Sequence, residues 1–444
     1  MSQATLTLLV LALMCAAFLT QIVPLYVTAL SGAIALGLLG VIPVGQIFAG
    51  LSNPTLVLFA GMFVIGAALF QTGLAQATGA FVVRRAGGSE TRLLWGSMFI
   101  AGALSTIASN TGTTAALIPV IVSICRTAGI PASRQLMPMA FTTGFGGFST
   151  MVGTPPNVIV TEALRQAGHR PFGFFEFAWV GVPLAFAGML YLALAGRRLL
   201  PDRAPAEASA PTGTAAPSAV SAAPTEDDDV IHALASPAPG KAGRARMWIC
   251  GGILLAVIVA MGISSPRLPL ETVAVIGALL CLLTGCVTRK RAIESIEWET
   301  ILLFGAMFAV AAAIERSGAG TWIAEAIMAV LGDEPPAWLV LASAFGVTVL
   351  LGTFLSNTAC AALLAPIGLS LAREIGANPH AVLMAIAVAA SCSFLTPVGT
   401  PPNALVLEPG HYRFADYPKL GFGLTLVCLL VALAVIPLKW PVYP

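Results

Sequence analysis

Ser109-Asn110-Thr111, followed by Ala115-Ala116-Leu117-Ile118-Pro119, returns as Ser356-Asn357-Thr358, followed by Ala361-Ala362-Leu363-Leu364-Ala365-Pro366. Gly153-Thr154-Pro155-Pro156-Asn157 likewise returns as Gly399-Thr400-Pro401-Pro402-Asn403. The first pair is 247 residues apart (109 to 356) and the second 246 (153 to 399). Small polar and helix-breaking residues therefore recur in register within an apolar chain. That is the pattern expected of a membrane transporter built from two internal repeats with one substrate site between them.

Composition supports the bilayer. The chain is 57% hydrophobic and 9% charged, where a soluble domain carries about 25% charged residues. Several apolar runs reach the roughly 20 residues that cross a bilayer as a helix. A net charge of +2 argues against nucleic acid as a partner. The eight cysteines are scattered and form no CxxC pair, so they read as small buried thiols rather than a metal cluster. The first apolar run, about 6–19, lacks a basic leader and a clear cleavage site, and reads as the first span rather than a removed signal peptide.

Residues 201–245 are rich in Ala, Pro, Ser and Thr and include Glu226-Asp227-Asp228-Asp229. Such a stretch buries too little apolar surface to offset its ordering entropy, and is expected to be a disordered cytoplasmic linker. It divides the chain into a first membrane repeat, 1–200, and a second, 246–444. The first is expected to hold spans near 5–23, 25–43 and 54–73, a segment 92–128 broken at Ser109, one interrupted at Gly153, and a last span near 174–196. The second repeats that order near 247–265, 271–288 and 299–316, then 336–372, 381–407 and 417–438. Each broken segment reads as a re-entrant helical hairpin with the Ser-Asn-Thr triplet at its tip. Five spans plus one hairpin is an odd number of crossings, so the second half must be inverted relative to the first. The expected fold class is an all-α polytopic membrane protein of two inverted-topology repeats, with both termini on one face. A cytoplasmic linker puts 16 of the 22 Lys and Arg residues inside, as the positive-inside rule asks.

The motifs suggest the chemistry. Non-helical backbone at membrane depth is tolerated only where protein or a water-filled cavity covers it. Pro155-Pro156 and Pro401-Pro402 must break their helices, and Asn157 and Asn403 are placed to cap the resumed helix through a side-chain oxygen. One such break alone would be an ordinary proline kink; two, each following a Ser-Asn-Thr tip, point to a built site. At each tip a helix N-terminus offers N–H groups and about half a positive charge, which suits an anion. The preceding helix ends in carbonyls that suit a cation. Ser109, Thr111, Ser356 and Thr358 add hydroxyls, and Asn110 and Asn357 add amides that can serve either ion. No Asp, Glu, Lys, Arg or His occurs in 101–125, 135–161, 349–372 or 381–407. Two helix termini supply about one positive unit, which under-compensates a dianion. A co-bound small cation closes the gap, hence the expectation of Na+ as coupling ion. The four histidines are not in metal spacing and the serines lack a nearby base, which counts against an intramembrane enzyme. A channel is the nearer rival.

The paired Ser-Asn-Thr hairpins and paired Thr-Pro-Pro-Asn breaks resemble the divalent anion/sodium symporters of the ion transporter superfamily, over nearly the whole chain. The resemblance implies a homodimer in the plasma (inner) membrane that works by an elevator-like movement of a transport part against a scaffold. It implies C4 dicarboxylates, citrate or sulfate as the small divalent anion. Carried over, the substrate positions are Ser109, Asn110, Thr111, Thr154, Ser356, Asn357, Thr358, Thr400 and Pro401. The first sodium site takes Ser105, Ser109, Asn110 and Gly153. The second takes Gly352, Leu355, Asn357 and Gly399, largely through backbone carbonyls. One position departs: Gly352 stands where a hydroxyl residue is expected opposite Ser105, and Thr353 is the nearest replacement. The expected function is secondary active import of C4 dicarboxylates with sodium, with sulfate transport or sodium-independent dicarboxylate exchange as alternatives.

Overall fold

The computed structural model describes residues 2–20, 22–85, 89–201, 241–263, 268–332 and 335–443. Residues 202–240 of the expected linker lie outside that set; Lys241 already begins a helix. Among the described residues the regular structure is helical, without strands.

The first half runs α1 (Gln3–Thr20), α2 (Leu25–Leu38), α3 (Pro54–Gln71), α4 (Leu74–Arg85), α5 (Glu90–Ser105), α6 (Asn110–Ala128), α7 (Leu136–Gly147), α8 (Pro155–Gln166), α9 (Ala178–Leu194) and the single turn α10 (Gly196–Leu199). The second runs α11 (Lys241–Gly262), α12 (Leu270–Leu283), α13 (Arg289–Glu294), α14 (Trp298–Ser317), α15 (Ala319–Leu331), α16 (Ala337–Gly352), α17 (Asn357–Glu374), α18 (Pro379–Ala390), α19 (Pro401–Leu407) and α20 (Asp416–Lys439). The boundaries have local causes. Asn53 caps α3 by accepting from Thr55 N at 2.9 Å, with Pro54 in the first turn where its missing N–H costs nothing. Gly129 ends α6 in the left-handed region at φ 66°, which only a residue without Cβ adopts readily.

Six segments are long and apolar enough to cross a membrane, and five shorter apolar helices accompany them among the described residues. Their outward faces carry large exposed apolar side chains, Leu283 and Leu438 each 83% exposed. In water such faces would be a liability, whereas against lipid they are solvated. Trp179, Trp298 and Trp338, all exposed, stand at the first turns of α9, α14 and α16, positions that suit the bilayer interface.

The helices pack as two bundles. In one, α3 lies on α12 and α2 on α14, with α1 and α11 alongside. The approach of α3 to α12 is close: a methyl on Gly61 would sit 2.9 Å from the Ala274 backbone. The other bundle holds α5 to α9 and α16 to α20. Its centre is α7 and α18, in which nearly every residue is buried.

Both broken segments are hairpins. Glu90 at the start of α5 pairs with Arg134, beyond the end of α6, at 3.4 Å. In the second half the chain before α16 and the chain after α17 meet the same C-terminal stretch. Tyr443 Oη donates to Pro335 O at 2.6 Å, and Asn378 N donates to Val442 O at 2.7 Å. Each segment therefore returns to the side from which it came.

Candidate functional site

The site begins at the two hairpin tips. Ser109 and Ser356 take extended backbone (ψ 143° and 151°) and accept from Gly112 N at 3.1 Å and Ala359 N at 3.2 Å. They are helix caps, and that bond occupies one lone pair of each hydroxyl. The asparagines that follow point elsewhere. Ser105 Oγ donates to Asn110 Oδ1. The space around Gly147 locates that amide: a methyl there would lie 3.2 Å from Asn110 Oδ1, 3.0 Å from Gly153 O, and against Thr154 Cγ2. Ser105, Asn110, Gly153 and Thr154 thus converge at the end of α7.

The second tip has the same plan with one exchange. Ser393 Oγ lies 2.6 Å from the Asn357 side-chain amide and 3.4 Å from Gly352 O. The side-chain amide of Asn357 is satisfied with its nitrogen toward this cluster, donating to Ser393 Oγ at 2.6 Å, Ala390 O at 3.0 Å and Gly399 O at 3.3 Å. Gly352, Asn357 and Gly399 come together, joined by Ala390 and Ser393, which the motifs did not single out. Thr353 is not the replacement hydroxyl: it donates back to Val349 O at 2.8 Å within its own helix. The register held the signal, since Ser393 lies 246 residues beyond Gly147 and faces the second asparagine as Gly147 borders the first.

The asparagines of the proline breaks act in the opposite sense to that expected. Thr154 and Thr400 occupy the cap positions, without side-chain cap bonds. Asn157 Nδ2 donates backward to Gly147 O at 3.1 Å and Thr150 O at 2.8 Å. Asn403 Nδ2 donates to Ser393 O at 2.8 Å and Thr396 O at 3.1 Å. The proline pair leaves the end of the preceding helix with unpaired carbonyls, and a buried carbonyl without a donor is costly. The amide satisfies two of them and ties the break shut. Thr150 and Thr396 add matching bonds to Thr106 O and Thr353 O, at 2.5 and 3.3 Å.

The remaining predicted residues border these clusters. Thr154 is 1% exposed and its Oγ1 has no partner; an orphaned buried hydroxyl suits a guest oxygen. Thr111, Thr358 and Thr400 are half-buried, Pro401 is exposed, and Leu355 is buried with its N–H bonded to Leu351 O at 2.9 Å. The two clusters share one core. Phe394, next to Ser393, packs on Phe141 and Phe145 of α7 with ring centroids at 5.1 and 5.4 Å. The packing is crosswise: α6 lies on α19 of the other half, and α17 on α8.

One buried charge stands just beyond the uncharged motif region. Glu162, 4% exposed, accepts from Asn53 Nδ2 at 2.6 Å and Thr55 Oγ1 at 3.0 Å, and pairs with Arg165 at 2.5 Å. It ties α8 to the start of α3 in the other bundle. A second tie, Arg373 to Glu315 at 2.8 Å, joins α17 to α14.

Comparison with known proteins gives a consistent picture. The family model described as citrate transporter (CitMHS) matches residues 15–367 and 337–443. The uncharacterized transporter YfbS of Escherichia coli K12 is 24% identical, covering 96% of this chain and 97% of that one. The sodium-dependent dicarboxylate transporter SdcS of Staphylococcus saprophyticus is 25% identical, covering 94% and 83%. The crystal structure of the Alcanivorax borkumensis YdaH transporter superposes with a TM-score of 0.64 over 100% of both chains at 20% identity, a likeness of fold.

Proposed function

The chain belongs to the citrate transporter family, and from that premise we propose that it imports small divalent anions, C4 dicarboxylates foremost, together with sodium. It is a multi-pass integral membrane protein, and its family and relatives are transporters rather than enzymes. What carries the proposal is the matched pair of oxygen clusters around Asn110 and Asn357, each at a helix N-terminus and neither containing an ionisable side chain. Two helix termini offer a dianion about one positive unit. The hydroxyls of Thr111, Thr154, Thr358 and Thr400 can donate to its carboxylates, and the amide and carbonyl oxygens can hold the companion cation. The sodium-dependent dicarboxylate transport in the name of SdcS adds to this.

In this reading the hairpin bundle is the moving part and the bundle of α1 to α3 with α11 to α14 is the scaffold. A homodimer in the inner membrane supports the scaffold, and residues 201–245 join the two inverted repeats on the cytoplasmic side. The test is uptake of labelled succinate, citrate and sulfate by proteoliposomes, with an imposed sodium gradient or with choline in its place. Succinate uptake that stops in choline is the expected result. Uptake unchanged in choline refutes the coupling, and sulfate taken up in preference to succinate refutes dicarboxylates as the foremost substrates.

A further inference from the structure

In the first half, the hydroxyl beside the tip asparagine comes from Ser105, the last residue of α5, while Gly147 lacks a side chain. In the second half the equivalent of Ser105 is Gly352 (105 + 247) and the equivalent of Gly147 is Ser393 (147 + 246). The hydroxyl has changed sides and still reaches its target: Ser105 Oγ meets Asn110 Oδ1, and Ser393 Oγ meets the Asn357 side-chain amide at 2.6 Å. Each tip keeps one such hydroxyl, delivered from a different element.

Steric room is consistent with the exchange. A side chain at Gly147 would run into Thr154 Cγ2 and crowd Gly153 O at 3.0 Å. A Cβ at Gly352 would meet nothing nearer than Cys360 Sγ at 3.7 Å, so the missing hydroxyl there is not imposed by lack of space.

The Asn357 amide nitrogen lies among three oxygens, donating to Ser393 Oγ at 2.6 Å, Ala390 O at 3.0 Å and Gly399 O at 3.3 Å. Three oxygens thus converge on one positively polarised group, and with the amide turned away they would converge on a cation in its place. The Ser393 proton can go to Gly352 O at 3.4 Å, leaving its lone pairs to the cluster.

We propose that Ser393 supplies the hydroxyl oxygen of the second sodium site, in place of the one absent at Gly352. This rests on the reading that sodium is co-transported. The test compares wild type, Ser393→Ala, Ser393→Cys, and Ser393→Ala combined with Gly352→Ser. Two responses are read for each: the sodium concentration giving half-maximal succinate uptake, and the rise in melting temperature that sodium, against choline, confers on protein in detergent. Ser393→Cys keeps the shape while replacing a hard oxygen with a soft sulfur that suits sodium poorly.

Both single variants are expected to raise the half-maximal sodium concentration roughly ten-fold or more and to shrink the sodium-induced melting shift. Gly352→Ser is expected to restore both, by recreating the first half's arrangement. A sodium-responsive wild type with single variants that respond identically overturns the role of Ser393 alone. So does a folded double variant that stays as impaired as Ser393→Ala. A wild type that sodium neither stabilises nor drives overturns the coupling itself, and this role with it.

Discussion

The two halves respond differently to one small change, the addition of a methyl beside the tip asparagine. In Gly147→Ala the new carbon falls against Thr154 Cγ2, 3.0 Å from Gly153 O and 3.2 Å from Asn110 Oδ1. Residue 147 itself cannot withdraw easily, since its carbonyl and that of Thr150 are both held by Asn157. Overpacking of this kind costs about 1–3 kcal/mol. In Gly352→Ala the nearest atoms are at 3.7, 3.8 and 3.9 Å, ordinary contact distances. The residue ends α16 with an N–C backbone any residue can adopt. Removing a glycine there restricts the unfolded chain and is worth about 0.4–1 kcal/mol in favour of the fold. The two variants should therefore differ by about 1.4–4 kcal/mol, with Gly352→Ala melting at or above wild type and Gly147→Ala clearly below it. Melting in detergent, followed by intrinsic fluorescence, measures the first effect. Sodium-driven uptake measures the second: Gly147→Ala should lose most of it, because Asn110 and Gly153 are the atoms displaced, while Gly352→Ala retains it. Equal melting and equal uptake for the two would refute the close packing inferred at Gly147.

Four further outcomes are expected. Asn110→Ala and Asn357→Ala should each abolish uptake while the protein still elutes as a folded species on size exclusion; full activity in either removes the site assignment. Asn403→Ala takes the amide donor from Ser393 O and Thr396 O, and Asn157→Ala takes it from Gly147 O and leaves Thr150 O only the long 3.4 Å bond from Gly153 N; each should cost about 1–3 kcal/mol, which thermal melting should detect. Glu162→Ala takes the acceptor from Asn53 Nδ2 and from the Thr55 hydroxyl proton, while Arg165 still donates to Asn53 Oδ1 and Thr55 Oγ1 at 3.0 Å; about 1–3 kcal/mol is expected, and an unchanged melting curve would show that the tie contributes nothing. Deleting residues 205–240 should leave initial uptake rates near those of the full chain, and a large loss would give that segment a role beyond joining the halves.

Much of this was legible along the chain. Proline pairs, cap residues and apolar lengths act within a turn or two, so the broken segments and their tips follow from local physics. Observed helices at Glu90–Ser105, Asn110–Ala128, Ala337–Gly352 and Asn357–Glu374 fall where the breaks at Ser109 and Ser356 place them. Membership in a transporter family agrees with the same motifs. The role of the break asparagines was misread for a reason of geometry. The third residue of a helix can turn its amide to the free N–H groups of its own first turn or back to the segment before it, and the choice depends on which carbonyls that segment leaves bare.

What the amino-acid order determined by itself was the membrane setting, the all-helical class and the positions of the helix breaks, because those depend on composition and on neighbours within a few residues. The tertiary structure alone decided that Ser393, not Thr353, meets Asn357; that Glu162 is held by Asn53 and Thr55, more than a hundred residues away; and that α6 and α17 lie on the broken helices of the opposite half. Helices apolar on every side carry no stripe to say which face turns inward. Their partners are therefore settled by shape and by the few polar atoms that must find one another once the chain has packed.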